Sequence, residues 1–325
     1  MSEHFDVTAG ATDEPARANG GNEPMLIRPG SGRDGAGLGA ARGFSANGGV
    51  GHQSLFDKLR AGLRPVDVDG ERLYVAEGDT LLTEAELQVY ADEREQRERL
   101  WSAIGAASDV GLGTEPLARS RGLVVQTQAG RIVRWKPGSV LSYRVARNTF
   151  PDQQSYDLVV AGMQKATRDW ELTCGCDFRH RAELDQRPES GALGAVFWVR
   201  YYDSGGAFLA AAFFPNDPRS RWHVLIDPTL FTQTTFDRVG IFRHELGHVL
   251  GFRHEHIRKG APPACPDEPT YDAKNVTVYD PQSVMHYFCG GIGSRELRIT
   301  ELDRSGSQQV YGPPLGQLAF VDDGA

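Results

Sequence analysis

The sequence predicts an α+β fold in which a mixed, twisted sheet packs against long helices. Three apolar runs of strand length fall within residues 194–227 and are separated by Gly, Ser, Asn and Pro: GAVFWVRYY, GAFLAAAFF and WHVLID. Residues 123–145 share the bias toward β-branched and aromatic side chains, and turn residues interrupt them. In residues 156–173 and 236–251 the apolar side chains recur every three or four positions, which is typical of helices with one buried face.

Capping residues predict two further helices. Thr83 and Glu86 have the spacing of a capping box, in which each side chain satisfies the other residue's backbone N–H. Thr300 and Asp303 have the same spacing near the C-terminus, and Gly312 suits the end of the helix that would follow. We therefore expect one helix before the sheet and one after it.

Composition divides the chain into four segments. Residues 1–56 are rich in Gly, Ala, Asp and Asn and poor in large apolar side chains, so a disordered arm is expected. Residues 57–122 are predicted to form a small prosegment-like region that ends in a linker containing Gly and Pro. Residues 123–316 are expected to form the main domain, and residues 317–325 a tail.

Charge and hydropathy exclude several classes of partner. The 325 residues carry a formal net charge of -8 and no block of Lys and Arg. A surface for nucleic acid or anionic membrane would need such a block, so neither is an expected partner. No apolar run is long enough to span a bilayer, and the opening residues do not have the pattern of a secretory signal. These features do not identify the cellular compartment of the protein.

Cysteine content favours neither a disulfide scaffold nor a zinc knuckle. Four cysteines can pair in three ways that the sequence does not rank: Cys174, Cys176, Cys265 and Cys289. Cys174 and Cys176 are far in sequence from the other two, so we expect them to be structural residues.

One stretch carries the chemistry of a metal site: HELGHVLGFRHEH, which begins at His244. On a helix, His244 and His248 leave the same face one turn apart, so both rings can reach one ion. Glu245 lies about 100° around the helix, beside such an ion rather than on it. Gly251 can take the left-handed backbone that ends a helix, after which the chain can return His254 as a third ligand. Three imidazoles with one open position are typical of catalytic zinc.

Two less specific interpretations of this stretch stay open. The HExxH pattern by itself can be a helix with a solvated histidine pair, although Gly251 and His254 at fixed offsets argue against coincidence. The ion could also be structural, but a structural zinc site does not need an unliganded carboxylate such as Glu245. His256 and His286 are interpreted as supporting residues, because three histidine ligands suffice.

The pattern HExxHxxGxxH followed by a methionine turn is that of metzincins. Both parts occur here, the second as SVMHY at residues 283–287. Within that group, HVLGFRHEH and SVMHY resemble the astacin family. The resemblance implies a zincin fold with a five-stranded mixed sheet, an active-site helix, a Met-turn and a final helix below the cleft. It also implies that Met285 forms an apolar floor under the zinc. Tyr287 would be a resting zinc ligand that swings to stabilise the oxyanion, and Glu255 would help to anchor the mature chain.

Weaker matches extend the resemblance over about residues 123–315: WKPGSVLSYRV, ATRDWELTCGCDF and ITELDRSGSQQVYG resemble the family's first strand, first helix and last helix. The loop after His256 is short, and the cysteine that astacins pair with the one at Cys174 is missing, so the family's disulfides are not carried over. GAFLAAAFFP resembles the matrixin edge strand. An extended substrate is expected to pair with this strand: Leu209, Ala210, Ala211, Ala212 and Phe213.

The segment YVAEGDTLL resembles an astacin inhibitory prosegment that lacks the usual Phe. The resemblance implies that Asp79 could occupy the open zinc position, and a carboxylate is a competent zinc ligand. The alternative is that Gly78 and Asp79 only form a turn before the next helix. If the first interpretation holds, cleavage near Arg119 or Arg121 should activate the chain.

The sequence therefore predicts a zinc-dependent endopeptidase that binds one catalytic Zn²⁺ and a polypeptide substrate, with Glu245 as general base. A zinc-bearing module that binds polypeptides without turnover is the alternative, and hydrolysis of a non-peptide amide would use the same metal chemistry. The family resemblance suggests a secreted protein.

Overall fold

The computed structural model describes residues 54–108, 123–258, 261–262, 265 and 273–317. The predicted arm and tail, and the linker with its expected cleavage sites, lie almost entirely outside these residues. The helices are α1 Leu55–Gly62, α2 Glu84–Ser108, α3 Gln153–Glu171, α4 Thr229–Thr232, α5 Arg238–Val249 and α6 Glu301–Tyr311. The strands are β1 Arg64–Val68, β2 Glu71–Ala76, β3 Thr80–Leu82, β4 Val124–Gln128, β5 Arg131–Ile132, β6 Val140–Val145, β7 Asp177–His180, β8 Phe197–Tyr201, β9 Ala210–Ala211, β10 His223–Ile226, β11 Phe252–Arg253 and β12 Ala273–Asn275.

An N-terminal unit is formed by α1, α2 and the antiparallel sheet β1-β2-β3. The capping box at the start of α2 is confirmed, since Glu86 N–H donates to Thr83 Oγ1 at 3.2 Å and Thr83 N–H donates to the Glu86 carboxylate at 2.8 Å. The three strands of this N-terminal unit were not anticipated from the sequence. They are short, and their apolar face is buried partly against the main body, where Val66 and Leu73 pack with Phe208.

The main body is organised around a five-stranded sheet in the order β7-β6-β8-β10-β9. β9 runs antiparallel to β10, and the other pairs are parallel. The predicted strands at β8 and β10 are confirmed. The edge strand is shorter than expected: of residues 209–213, Ala210 and Ala211 form the ladder. The strand ends early because Phe214 N–H already donates to the Asp217 carboxylate in a turn, at 2.8 Å.

The two long helices α3 and α5 pack closely beneath this sheet. A Cβ added at Gly162 of α3 would lie 2.3 Å from the Phe242 ring of α5, so glycine permits the close approach. The buried Trp170 indole donates to the Arg243 carbonyl at 2.9 Å, and the Arg243 guanidinium pairs with Asp169 at 2.6 Å. Packing and polar contacts therefore fix the motif helix α5 against α3.

A second sheet and the final helix close the lower part of the body. β4 pairs with β11 and β12 and forms a hairpin with β5. The predicted capping box of Thr300 and Asp303 at α6 is confirmed, and Gly312 ends that helix with a positive φ of 80°. Cys265 and Cys289 form a disulfide, whereas Cys174 and Cys176 are free and buried. Among the described residues, no helix combines the length and apolar character needed to cross a membrane.

Candidate metal centre and cleft

The helix α5 positions the first two histidines. Its N-cap Asp237 accepts from Val239 N–H at 2.8 Å, and nearly the whole helix is buried. His244 and His248 are one turn apart, with ring centroids separated by 4.9 Å. Both side chains are buried, so the helix presents two imidazoles to a site shielded from bulk solvent.

A glycine turn brings in the third histidine. Gly251 has a φ of 87°, the left-handed region that glycine occupies most readily. A Cβ at this position would also lie 2.6 Å from the Val133 carbonyl oxygen, so a larger residue would be excluded on both grounds. The chain then forms β11 and places His254 Nε2 3.1 Å from His248 Nε2. The predicted grouping of the three histidines agrees with this geometry.

A carboxylate from the N-terminal unit completes the group. Asp79, His244, His248 and His254 each offer one ligand atom, and these atoms lie within 4.8 Å of one another. Asp79 Oδ2 is 3.3 Å from His244 Nε2 and 3.7 Å from His248 Nε2, and Oδ1 is 3.2 Å from His254 Nε2. The Asp79 side chain is fully buried by this contact.

These four side chains fit a tetrahedral zinc. With zinc–ligand distances near 2.0 to 2.1 Å, ligand atoms in a tetrahedron are separated by about 3.3 Å. The three spacings to Asp79 and the spacing between His248 and His254 are 3.1 to 3.7 Å. His244 Nδ1 lies 2.8 Å from the Val284 carbonyl, and His248 Nδ1 lies 2.8 Å from the Phe252 carbonyl. Each Nδ1–H donates to its carbonyl, so each Nε2 keeps its lone pair for a metal.

Electrostatics in the cluster favour an ionised Asp79 and a neutral His248. Burial by itself would raise the pKa of Asp79, but the charge of His254 and the adjacent His244 and His248 side chains hold it well below its ordinary value. Burial lowers the pKa of His248 to about 4, although Asp79 opposes this shift. A carboxylate with neutral imidazoles is the donor set that divalent zinc requires.

Glu245 lies beside this group and is fully buried. Neither of its carboxylate oxygens has a hydrogen-bond partner within the part of the chain that the structure describes. Burial raises the pKa of Glu245 well above its ordinary value, and the nearby Asp79 carboxylate raises it further. A buried carboxyl group without a hydrogen bond to the described residues is available to exchange a proton with a bound reactant.

The Met-turn packs against the motif helix. Met285 is buried, and its Sδ would lie 2.3 Å from a Cβ added at Gly247. Asp303 at the start of α6 accepts from Ser283 Oγ at 2.5 Å and from Val284 N–H at 2.9 Å. The final helix therefore holds the Met-turn in place. The Val284 carbonyl of that turn accepts a hydrogen bond from His244 and so orients its ring.

Tyr287 packs against the imidazoles of the site. Its ring centroid is 4.4 Å from that of His254. The Tyr287 ring also stacks on the His256 ring, with centroids 4.6 Å apart. Its hydroxyl donates a short hydrogen bond to the Glu77 carbonyl oxygen. Asp79 lies with the three histidines, and the Tyr287 hydroxyl contacts the segment that carries Asp79.

Glu255 lies in a buried ion pair that the sequence did not indicate. Its Oε1 accepts from Arg258 Nη1 at 2.8 Å and from Asp280 N–H at 2.9 Å. Burial raises the pKa of Glu255, and the Arg258 guanidinium and the Asp280 N–H oppose this shift. In the intact chain this carboxylate joins the segment after β11 to the loop before the Met-turn.

Several polar contacts hold the N-terminal unit across the cleft of the main body. Arg200 donates to both oxygens of Asp69 at 2.8 Å, and Arg221 donates to Glu86 at 2.9 Å. Sequence reasoning missed these arginines, because isolated charges have no periodicity that identifies a partner. A cavity of about 340 Å³ remains between the unit and residues 211–214 of the edge segment.

Comparison with known proteins gives a limited result. No family model matches the chain. One solved structure of myroilysin is similar with a TM-score of 0.40 and 16% identity, covering 58% of this chain and 98% of that chain. A second structure of myroilysin gives a TM-score of 0.37 and 18% identity, covering 57% of this chain and 88% of that chain.

Proposed function

We propose that this protein is a zinc-dependent endopeptidase of the metzincin type, with astacin-like features, and that the described chain is its latent form. The observation that carries the proposal is the buried group of three histidine nitrogens and one carboxylate, with ligand atoms within 4.8 Å of one another. A structural zinc site has no need of a further unengaged carboxylate, and Glu245 provides one.

The proposed reaction is hydrolysis of a peptide bond. Zinc, when bound by His244, His248 and His254, supplies a Lewis acid that makes water nucleophilic near neutral pH. Glu245 takes a proton from the attacking water and passes it to the leaving amine. The Tyr287 hydroxyl, which now donates to a backbone carbonyl of the N-terminal unit, would donate to the oxyanion of the substrate carbonyl.

Asp79 accounts for latency in this proposal. Its carboxylate lies where water would need to bind, and a carboxylate ligand excludes that water. Removal of the N-terminal unit would open the position. Cleavage near Arg119 or Arg121 is the proposed route.

The substrate would enter as an extended strand at the open edge of β9. Backbone groups would provide most of the pairing there, and side-chain pockets would set the sequence preference. The ladder with β10 involves Ala210 and Ala211, and Ala212 and Phe213 line the cavity beside it. The N-terminal unit covers part of this edge in the latent chain, as the shared packing of Ala211 with Val66 and Leu73 indicates.

The first experiment combines zinc content with cleavage of a denatured-protein mixture. Wild type, Glu245→Ala and a chelated sample are each measured with and without limited trypsin treatment. We expect wild-type cleavage to need the metal and to increase after trypsin. Glu245→Ala should keep zinc and lose at least about 10²-fold in rate. One bound zinc with no cleavage under any treatment would instead favour a module that binds polypeptides without cutting them.

A second experiment tests latency with a matched control. Asp79→Ala removes the carboxylate at the metal group, whereas Asp69→Ala removes the ion pair with Arg200 elsewhere between the same two parts of the chain. We expect the first variant to be active without trypsin and the second to remain largely latent. Equal activation by both variants would show that latency depends only on how tightly the N-terminal unit binds the main body. An untreated wild type with full activity would contradict latency altogether.

A further inference from the structure

The N-terminal unit covers the face of the five-stranded sheet that points away from α3 and α5. In the parallel ladder, His223 of β10 pairs with Trp198 of β8, and Leu225 pairs with Arg200. Side chains alternate along a strand, so these four residues share one face. Leu225 packs there with Val66 and other apolar residues of the unit. His223 therefore lies on the face that the unit closes.

His223 is buried between the two parts of the chain. The residue is 4% exposed, and its Nδ1 has no hydrogen-bond partner within the described ranges. The Trp198 ring packs edge-on against the imidazole, with centroids 6.3 Å apart. Together with Leu73 and Leu81 of the unit, His223 lines the cavity of about 340 Å³ between the unit and the main body. The imidazole is thus held in an apolar part of the interface.

Two guanidinium groups of the main body lie near this imidazole, and each has a carboxylate partner in the unit. Arg200 pairs with Asp69 at 2.8 Å, and Arg221 pairs with Glu86 at 2.9 Å. The other ionisable groups that act on these arginines or line the same cavity are Glu71, Glu77, Asp217 and Arg253. A proton on His223 would add a further positive charge beside the two arginines, where charges are poorly hydrated.

The docked and the separated states differ in how readily they bind this proton. Burial, assisted by the charges of Arg200 and Arg221, lowers the pKa of His223 in the docked chain to about 3, although Asp69 opposes the shift. In the separated body the imidazole would face water, so its pKa should return toward the ordinary value of 6.5. The separated state therefore takes up the proton first as the pH falls, and acid favours separation.

Two carboxyl groups of the same interface also titrate, with opposite effects. Burial raises the pKa of Asp217 to about 6, and any part of that burial that the unit supplies makes acid favour docking. Burial also acts to raise the pKa of Glu86, but hydrogen bonds from Arg221 and Thr83 hold it below its ordinary value, so protonation there favours separation. The effect of His223 is therefore isolated by comparing chains that share these carboxyl groups and differ in the imidazole.

We infer that His223 is an acid-sensitive switch for docking, and that protonation of its imidazole weakens the hold of the N-terminal unit on the main body. This inference rests on the latency in the proposed function, and it makes cleavage of the linker and release of the unit two separate steps. The pKa of His223 is about 3 in the docked chain and should be about 6.0 to 6.5 in the separated body, where both arginines remain. These values give about four- to tenfold weaker docking at pH 5.5 than at pH 7.5.

The test measures docking in the full chain, with a recognition sequence for a site-specific protease inserted after Arg119. After a single cut there, sedimentation in chelator gives the dissociation constant of the two pieces at pH 7.5 and pH 5.5. The rise in this constant should be about four- to tenfold larger in wild type than in His223→Gln or His223→Leu. His180→Gln changes a histidine that pairs with Asp185 in β7, at the far edge of the sheet, and should behave like wild type.

Peptidase activity of the same chains, measured with zinc, separates the two proposals. A rise of equal size in all four chains, or pieces that do not separate at pH 5.5, would overturn the inference. Zinc-dependent cleavage in those samples would still support the endopeptidase. A rise that depends on His223, without cleavage at either pH, would overturn the endopeptidase and keep the switch.

Discussion

A buried histidine that is not part of the metal group gives a direct test of the electrostatics of the fold. His223 begins β10 and is 4% exposed. Its Nδ1 has no hydrogen-bond partner among the described residues, and the Trp198 ring packs edge-on against it at 6.3 Å. Burial, together with the positive charges of Arg200 and Arg221, lowers the pKa of His223 to about 3, while Asp69 opposes the shift. The imidazole is therefore neutral in the folded protein.

The sign and size of the effect follow from linkage. The folded pKa lies below the ordinary value of 6.5, so the unfolded chain takes up the proton first as the pH falls. The stability that neutral His223 contributes is complete above about pH 6.5 and is lost as the pH falls toward about 3. Between pH 7 and pH 5 these two pKa values give a loss of about 2 kcal/mol.

The assay compares wild type with His223→Leu, which keeps an apolar side chain of similar size and removes the titrating group. Urea unfolding of both chains, in chelator and followed by tryptophan fluorescence, gives the free energy of unfolding at pH 8, 7 and 5. Other titrating groups are common to both chains and cancel in the difference. Wild type should lose about 2 kcal/mol more than the variant between pH 7 and pH 5.

The comparison between pH 8 and pH 7 is the internal control, because His223 is uncharged in the folded protein there and mostly uncharged in the unfolded chain. The difference between the two chains should be nearly constant in that interval. A difference that also stays constant down to pH 5 would refute the reasoning, since it would mean that the folded protein accommodates a protonated His223.

Three further predictions concern the metal site and its support. His248→Ala should lose zinc and peptidase activity together, as measured by metal analysis after dialysis and by cleavage in the same samples. Tyr287→Phe should lower kcat by about 10²-fold in trypsin-treated chain with a smaller change in KM, whereas equal changes in both would argue against an oxyanion role. Gly247→Ala should destabilise the fold by about 1 to 3 kcal/mol in urea unfolding, because its Cβ would lie 2.3 Å from Met285 Sδ. The destabilisation should be smaller in a Met285→Ala background.

The main helices could be read from the sequence because their signals are local. Apolar spacing in residues 156–173 places Val159, Met163 and Trp170 on one face, and all three are buried in α3. The capping boxes at α2 and α6 also depend on residues three positions apart. Such patterns predict the structure reliably because neighbouring turns of a helix bring the same residues together in any fold.

Elements that depend on distant partners were predicted less well. The three strands of the N-terminal unit are short, and their buried face is completed by Phe208 and Leu225 of the main body. β9 was expected to be longer, but a turn at Asp217 ends its ladder. The pairing of Cys265 with Cys289, left open among three connectivities, also depends on how the Met-turn region folds.

By itself the sequence determined the three histidines and the glutamate of the candidate site, because their offsets match one helical turn followed by a glycine reversal. Only the tertiary structure decided which carboxylates join them. Asp79 and His254 are 175 positions apart, and Glu77 and Arg253 are 176 positions apart. No periodicity spans such distances. These contacts arise from the docking of one unit on another, which depends on the packing and charge of many side chains at once.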